Sequence, residues 1–579
     1  MAFLVSPGVN TSEIDLTTSV PAVGVSTGAT VGVFRWGPAN TIVQVSSETD
    51  LAQQFFQPDS NTAGSFLSAA NFLAYGNDLR VVRAINSTAG ANCSNNAVSA
   101  GAYYATIPND EEYFNNQYSS ANANVQFAAR YPGTLGNSLK VSVCAAESSF
   151  AGWAYASFFD AAPNTSNYAA STGATNVKDE LHVIVVDEDG LISGTANTVL
   201  ERWSNLSKAS DARGDDGTTI YYKEVLYRNS QYIHWLGHPA GSNATNAWGQ
   251  TIATVNASGD KFHQPVVANY SLVNGADGSV TQSNITNAIE LFDNKEKVDI
   301  SLLFAGDCGV GANSAIDSSV VANEYLTVAT SRKDCVAFVS PAQANVVGAQ
   351  ASATAVVNYR NTLTDTSYGV MDSGWKYQYD KYNDVYRWVP LNADVAGLCV
   401  RTDLQRDPWF SPAGLNRGQI RNLVKLALNP TQAERDTLYK GGVNPVVAFP
   451  GEGTVLFGDK TLQGRPSAFD RINVRRLFIV LEKAISAAAR SSLFEFNDEF
   501  TRAQFVALVE PFLRDVQGRR GIYDFRVVCD ETNNTPGVID RNEFIGDIYI
   551  KPARSVNFIQ LNFVAVRSGV AFDEIVGRF

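Results

Sequence analysis

Strand–helix alternation in two widely separated stretches is what most restricts how this chain can fold. Val298–Ala305 (VDISLLFA) reads as a buried strand, followed by a helix over about Ser314–Ser331, a strand over Cys335–Val339 and a helix near Gln350–Leu363. Strand, helix, strand, helix calls for parallel pairing, because a parallel partner needs a crossover long enough to hold a helix. The same pattern lies near the start. Thr30–Phe34 reads as a strand closed by Trp36, Gly37 and Pro38, and Leu79–Ile85 as another. Between them Ser47-Glu48-Thr49-Asp50 has capping-box form ahead of Leu51 and Phe55. Phe66, Ala69, Ala70 and Leu73 then recur at helical spacing until Gly76. Residues 22–86 and 295–430 therefore read as two parts of one middle α/β domain.

The stretch between them, 87–294, has another texture. Asn, Ala, Ser, Gly and Thr dominate, and the expected strands are short, Leu181–Val186 and Gly217–Tyr227, as in an inserted, solvent-facing, mostly β region of one or two domains. Residues 1–21 read as an extended arm broken by Pro7, Gly8 and Pro21, which needs a sheet edge to pair with. The tail, 431–579, reads as α+β. It has a long helix from Ser467 to Arg490 and a second over about Asp498–Val509, weakened by Pro511. Strands follow over Gly521–Cys529, Phe544–Ile550 and Ser555–Val566. The fold class expected is thus α/β plus α+β, multidomain.

Bulk properties narrow the function. With 579 residues the chain is too long for one ordinary core, and about three or four domains are expected. A composition of 45% hydrophobic and 17% charged residues is globular. There is no run of about 18 apolar residues to span a membrane, and the first residues lack the form of a secretory signal. Six scattered cysteines without a CxxC favour free thiols in a reducing compartment. The net charge of -13 argues against nucleic-acid or anionic-membrane binding. That charge is uneven: Thr431–Phe579 balances 19 basic against 19 acidic residues, and its basic residues are 15 Arg to 4 Lys. Arginine suits fixed interfacial ion pairs, so the tail is expected to face partners, unless the bias is chance clustering on a surface.

Catalytic and metal motifs are weak. Gly306–Gly311 (GDCGVG) follows a buried strand but lacks dinucleotide spacing, and Asp307 would repel phosphate, so a tight turn is the stronger reading. GTVLFGDK (453–460) only imitates a phosphate loop. His234 and His238 in HWLGH are four apart, but Gly237 and Pro239 oppose the helix that zinc ligation would need. With four histidines in all, general acid–base chemistry has few candidates. Trp375–Ile420 concentrates tyrosine and tryptophan with no histidine, which fits either an aromatic-rich hairpin or a contact surface between proteins.

Longer words in the chain carry a resemblance: LVSPGV (4–9), FRWGPA (34–39), NFLAYGNDLRVVRA (71–84), KYQYDKYNDVYRWVPL (376–391), SPAGLNRGQI (411–420), LFGDKT (456–461), FDRINVRRLF (469–478), RVVCDETNNTPGVIDRNEF (526–544) and KPARSVNFIQLNFVA (551–565). They span both ends and the α/β pieces, and they resemble the contractile tail sheath proteins of tailed bacteriophages of the myovirus type. The region 87–294 does not match by motif.

The resemblance implies a structural, non-enzymatic subunit without cofactor or metal. It would stack as six-fold rings around a tail tube, meet tube, baseplate and tail terminator proteins, and contract to drive the tube through the host envelope. It would be assembled in the host cytoplasm and reside in the virion. An inner α+β domain would combine both chain ends, 1–21 with 431–579, and the insert would project outward. Leu4, Val5, Val9, Ile14 and Val20 at the start, and Val556, Phe558, Ile559, Leu561 and Phe563 at the end, would be donated as strands to neighbouring subunits. Arg475, Arg476, Arg519 and Arg520 are expected at subunit interfaces on charge and place alone. The competing readings are a soluble α/β enzyme using Asp307 and Cys308, or another self-assembling virion protein of tube or capsid type.

Overall fold

The structure is a computed structural model that describes residues 24–87, 92, 94, 106–119, 125–239, 247–311, 313 and 315–557. Within these, the chain divides into two compact units, residues 24–408 with 412–483, and residues 409–411 with 484–557. The protein is a mixed α/β, multidomain chain with several small sheets.

The larger unit is organised by a six-stranded sheet. Its strands are β1 (Gly28–Gly32), β2 (Ile42–Val45), β3 (Leu79–Arg83), β4 (Leu302–Phe304), β5 (Val336–Val339) and β6 (Gly369–Met371), in the order β6-β5-β4-β1-β3-β2. All pairings are parallel except β2 with β3. β1 and β3 come from before the insert and β4–β6 from after it, so one sheet joins both pieces. Side chains alternate across it. Leu302, Phe304, Val336 and Phe338 enter one core with Phe66, Phe72 and Leu398, while Leu303, Ala337 and Val339 enter the other with Tyr325 and Val356. A parallel sheet buried on both faces requires this continuous apolar strand texture.

Five helices matter to this sheet: α1 (Glu48–Phe55), α2 (Ala63–Leu73), α3 (Ser318–Arg332), α4 (Ser352–Arg360) and α5 (Asn392–Gln405). Ser47 caps α1 by accepting from the Asp50 amide, and the Asp50 carboxylate turns back to the Ser46 amide. α2 lies so close on β1 that a Cβ at Gly28 would fall 2.3 Å from the Phe72 ring; Gly397 lets α5 approach Tyr75 in the same way, at 2.4 Å. α3 starts at Ser318 because Asp317 is its cap, accepting from the Ser319 amide.

The insert carries a four-stranded antiparallel sheet of Thr198–Ser207, Glu180–Asp187, Leu139–Cys144 and Ala268–Ser271, beside a two-stranded pair of Phe127–Ala129 and Ile233–Trp235. The strand expected over Gly217–Tyr227 is absent; Tyr222–Asn229 is a helix. Its period is set by Tyr222 and Leu226, four apart and both buried, with the Tyr222 hydroxyl bonded to the Trp235 indole N–H. Arg83, buried at the end of β3, joins sheet and insert. Its guanidinium donates to the carbonyls of Phe34, Gly37 and Pro132 at 2.8–2.9 Å.

After the sheet, β7 (Trp375–Asp380) and β8 (Val385–Pro390) form the antiparallel hairpin of the aromatic stretch. Helix α6 (Ile472–Ala489) starts later than Ser467, because Asp459–Thr461 and Asp470–Ile472 first pair through backbone bonds. In the smaller unit α7 (Glu499–Gly518) runs straight through Pro511. Pro511 removes one backbone bond, but the buried stripe Phe505, Val509, Leu513 and Val516 keeps the helix docked past it. β9 (Ile522–Val528) and β10 (Asp547–Pro552) then pair antiparallel. The expected third strand, Ser555–Val566, is not a strand over 555–557, and its remainder lies outside the described residues.

A buried ion pair fastens β7 to α5. Lys376 Nζ lies 2.9 Å from the Asp394 carboxylate, both side chains are 0% exposed, and Tyr75 donates to the same carboxylate. Burial pushes the Asp394 carboxyl up, and the Lys376 charge pulls it back. Removing one partner strands the other charge. Lys376→Ala is expected to lower unfolding free energy by about 3–5 kcal/mol, whereas Lys376→Met with Asp394→Leu recovers most of the loss. Chemical denaturation of the variants measures both.

Candidate interaction surfaces

Asp307, Cys308, His234 and His238, the side chains singled out by the sequence for chemistry, are all buried. Asp307 sits in the turn after β4, where its Oδ1 accepts from the Gly309 amide and the Ser65 hydroxyl at 3.0 Å. Burial raises the Asp307 carboxyl, and burial followed by the Asp307 charge raises the Cys308 thiol. That is the opposite of an activated thiolate. His234 lies in a strand, stacked on Tyr113 at 3.9 Å, so it and His238 do not share a helix face; His238 instead bonds the Tyr222 hydroxyl. Burial pushes the imidazole of His238 down to about 4. No cluster of three metal-ligating side chains occurs among the described residues.

Lys208 was not legible as unusual from sequence. It is fully buried in the insert, where Nζ donates to the carbonyls of Ala145 and Lys178 at 2.9 and 2.8 Å. Burial pushes its ammonium down to about 7.

The four arginines expected at interfaces separate into two groups. Arg476 is buried against Asp403, with Nη2 2.6 Å from Oδ2, and Arg475 is buried with its guanidinium 3.9 Å from the Phe469 ring centre and 4.2 Å from that of Tyr368. Both are accounted for within one chain. Arg519 and Arg520 are exposed at the end of α7, Arg519 paired with Asp515 one turn back and lying over Trp409. Of the expected arm residues only Val556 is described, and it is exposed. Leu4, Val5, Val9, Ile14, Val20, Phe558, Ile559, Leu561 and Phe563 lie outside the described residues.

Two further features are exposed, a two-stranded sheet and an aromatic hairpin. β9 and β10 form a two-stranded sheet with no further strand on either edge among the described residues. Tyr523 and Tyr549 stand exposed on these strands. An unpaired edge is a template for another strand. On the β7–β8 hairpin, Tyr377 packs on Tyr386 and Trp388 at 5.6 and 4.8 Å, Lys425 lies over Tyr377, and Tyr379 and Tyr386 are exposed.

Comparison with known proteins accounts for this inventory. Residues 278–462 match the phage tail sheath protein central domain, 465–565 the phage tail sheath C-terminal domain, and 26–84 the N-terminal region of tail sheath protein Gp18 domain III. The chain belongs to the phage tail sheath family. It is 35% identical over 680 residues to the tail sheath protein of Vibrio phage KVP40, covering 99% of this chain and 100% of that one. Identity to the tail sheath protein of Enterobacteria phage T4 is 34% over 659 residues, covering 99% of each. Both alignments exceed the 579 residues of this chain, so the relatives carry insertions that it lacks. Among solved structures, the sheath tail protein of Desulfitobacterium hafniense shares the fold at 11% identity and TM-score 0.50, covering 94% of this chain and 100% of that one. That of Listeria innocua does so at 12% and 0.50, covering 92% and 96%. This sheath subunit is a component of the virion, and its family domains cover the described sheet but leave most of the insert unmatched.

Two measurements follow from the placement of these charges. Arg476→Ala leaves Asp403 buried without its partner and is expected to cost about 3–5 kcal/mol in denaturation, whereas Arg519→Ala changes stability by less than about 1 kcal/mol. Lys208 has a native value below its ordinary one, so between about 7 and 10.5 the unfolded chain binds the extra proton and stability rises with pH. Lys208→Met is expected to flatten that rise between pH 7 and 10, read as the difference between wild-type and variant denaturation curves.

Proposed function

We propose that this subunit of a contractile tail sheath assembles as stacked six-fold rings around a tail tube, linked by strands exchanged between copies. The N-terminal segment Leu4–Val20 and the C-terminal segment Ser555–Val566 add to the edges of the β9–β10 sheet of a neighbouring copy. The observation that carries this reading is that sheet: two strands with no further strand on either edge among the described residues, and an unpaired edge is a template for another strand. The C-terminal segment follows β10, which ends at Pro552, by two residues of sequence. Main-chain bonding of this kind tolerates rotation of the subunits while keeping them connected, and a heterologous link propagates as a helix instead of closing. Arg519 and Arg520 lie on the same unit and meet neighbouring copies.

On contact with the host the extended lattice shortens and widens, drives the tube through the envelope, and draws its energy from the metastable extended arrangement, without nucleotide or cofactor. Baseplate and terminator proteins bound the sheath at its ends, and assembly takes place in the host cytoplasm. The anti-feeding prophage helical sheath in its contracted state is a structural neighbour, at 13% identity and TM-score 0.50 over 97% of this chain. The buried, raised Cys308 thiol and the scarcity of accessible histidine support a structural role without turnover.

Electron microscopy of the purified full-length chain tests the reading. Hollow tubes or short cylinders of uniform width are expected. Deleting residues 2–20 is expected to abolish them or to raise the concentration needed at least tenfold. Tubes forming as readily after the deletion would remove the strand-exchange claim.

A further inference from the structure

Two exposed surfaces of this chain match each other in charge. The first is the ridge that runs from the segment between α6 and α7 into the first turn of α7, where Leu493, Phe494, Phe496 and Phe500 are 62%, 103%, 84% and 76% exposed. Glu495 and Glu499 interleave with them, and Arg490 lies one turn before. Soluble proteins rarely leave so much apolar surface in water without a partner for it. The ridge is also held in shape. Asn497 Nδ2 donates to Asn534 Oδ1 and Glu543 O at 3.2 and 2.8 Å, and Asp498 caps α7 by accepting from the Thr501 amide. Phe494 keeps a left-handed backbone, φ 72°, which points to a conformation retained despite its cost to a bulky residue.

The second surface is the end of α5 with the loop that follows in the larger unit. Arg401 and Leu404 lie one turn apart on the helix, and Leu404 is 74% exposed. Arg401 Nη1 reaches the Gln419 carbonyl at 3.4 Å, which brings the loop alongside. Arg417 is a near neighbour of Arg406, whose charge adds to burial in lowering it, and Arg421 lies over the Tyr75 ring. Leu415 is exposed beside Arg417. Within 401–421 the four arginines are accompanied by two acidic residues, Asp403, taken up by Arg476, and Asp407.

We infer that the apolar, acidic ridge of one copy docks on the arginine–leucine face of a second copy. Each chain brings both halves, of opposite charge and each with exposed apolar side chains, which makes a second copy the occupant that fits. The leucines and phenylalanines supply the buried contact, and the charges fix its register. The two halves differ, so the contact is heterologous and repeats from copy to copy. It adds a side-chain interface to the backbone strand exchange, and it rests on the self-assembly proposed above.

The test uses full-length chains carrying Phe496→Cys or Leu404→Cys, mixed and treated with a short bis-maleimide, with the unsubstituted chain as background for the native cysteines. Crosslinked dimers are expected in the mixture at no less than tenfold the yield of either variant alone, and the yield is expected to fall as salt rises from about 0.05 to 0.5 M. Glu495→Arg on the Phe496→Cys copy should cut the yield at least fivefold, and Arg406→Glu on the Leu404→Cys copy should restore at least half of it. Equal yields in mixed and single samples, or failure of that restoration, would overturn the pairing. So would slow labelling of Phe496→Cys by a monofunctional maleimide in unassembled chains, which would mean that the chain covers its own ridge. Tubes seen by electron microscopy without the crosslink would remove this contact and leave sheath assembly standing; absence of both would remove the assembly reading as well.

Discussion

Pairing along both sides of Gly28–Gly32 is the constraint on which the larger unit depends. β1 bonds β3 on one side and β4 on the other, and Thr30 donates to the Phe304 carbonyl across 274 residues of chain. A strand in that central position has no exposed face, so everything above and below it must be apolar and close-fitting. The absence of a side chain at Gly28 under Phe72, and at Gly397 against Tyr75, follows from that demand. At the rim, where the sheet itself has ended, the buried ion pair of Lys376 and Asp394 secures the aromatic hairpin instead.

Much of this was legible in the sequence, and the reasons are local. Strands β4 and β5 declare themselves as apolar runs, and Ser47 announces α1 as its cap. Where the reading failed, the deciding partner lay far along the chain. Tyr222–Asn229 looked like a strand because its tyrosines are β-favouring residues, but the buried Trp235 and His238 around Tyr222 select the helical spacing. Pro511 looked like the end of a helix, but Leu513 and Val516 are buried beyond it. Arg475 and Arg476 are expected at interfaces on charge and place alone, because spacing cannot identify the partners they have within the chain, Tyr368, Phe469 and Asp403.

The surfaces were harder to read than the core. Family words named the protein's class, but they did not say which side chains reach solvent. The run from Leu493 to Phe500 mixes apolar and acidic residues, a signal available in the sequence but indistinguishable there from an amphipathic helix start. Only the capping of α7 by Asp498 shows that the preceding phenylalanines belong to a loop. Exposure is a property of the packed chain, and so the candidate contacts emerge only after the fold is in place.

Arg83 has one more consequence. Its guanidinium holds the joint between sheet and insert through carbonyl oxygens of Phe34, Gly37 and Pro132, and carbonyls are present whatever side chain a residue bears. A fastening that reads backbone leaves the attached region free to change its sequence. The insert of this sheath subunit can therefore diverge, shrink or be exchanged while the sheet it joins keeps the same mounting.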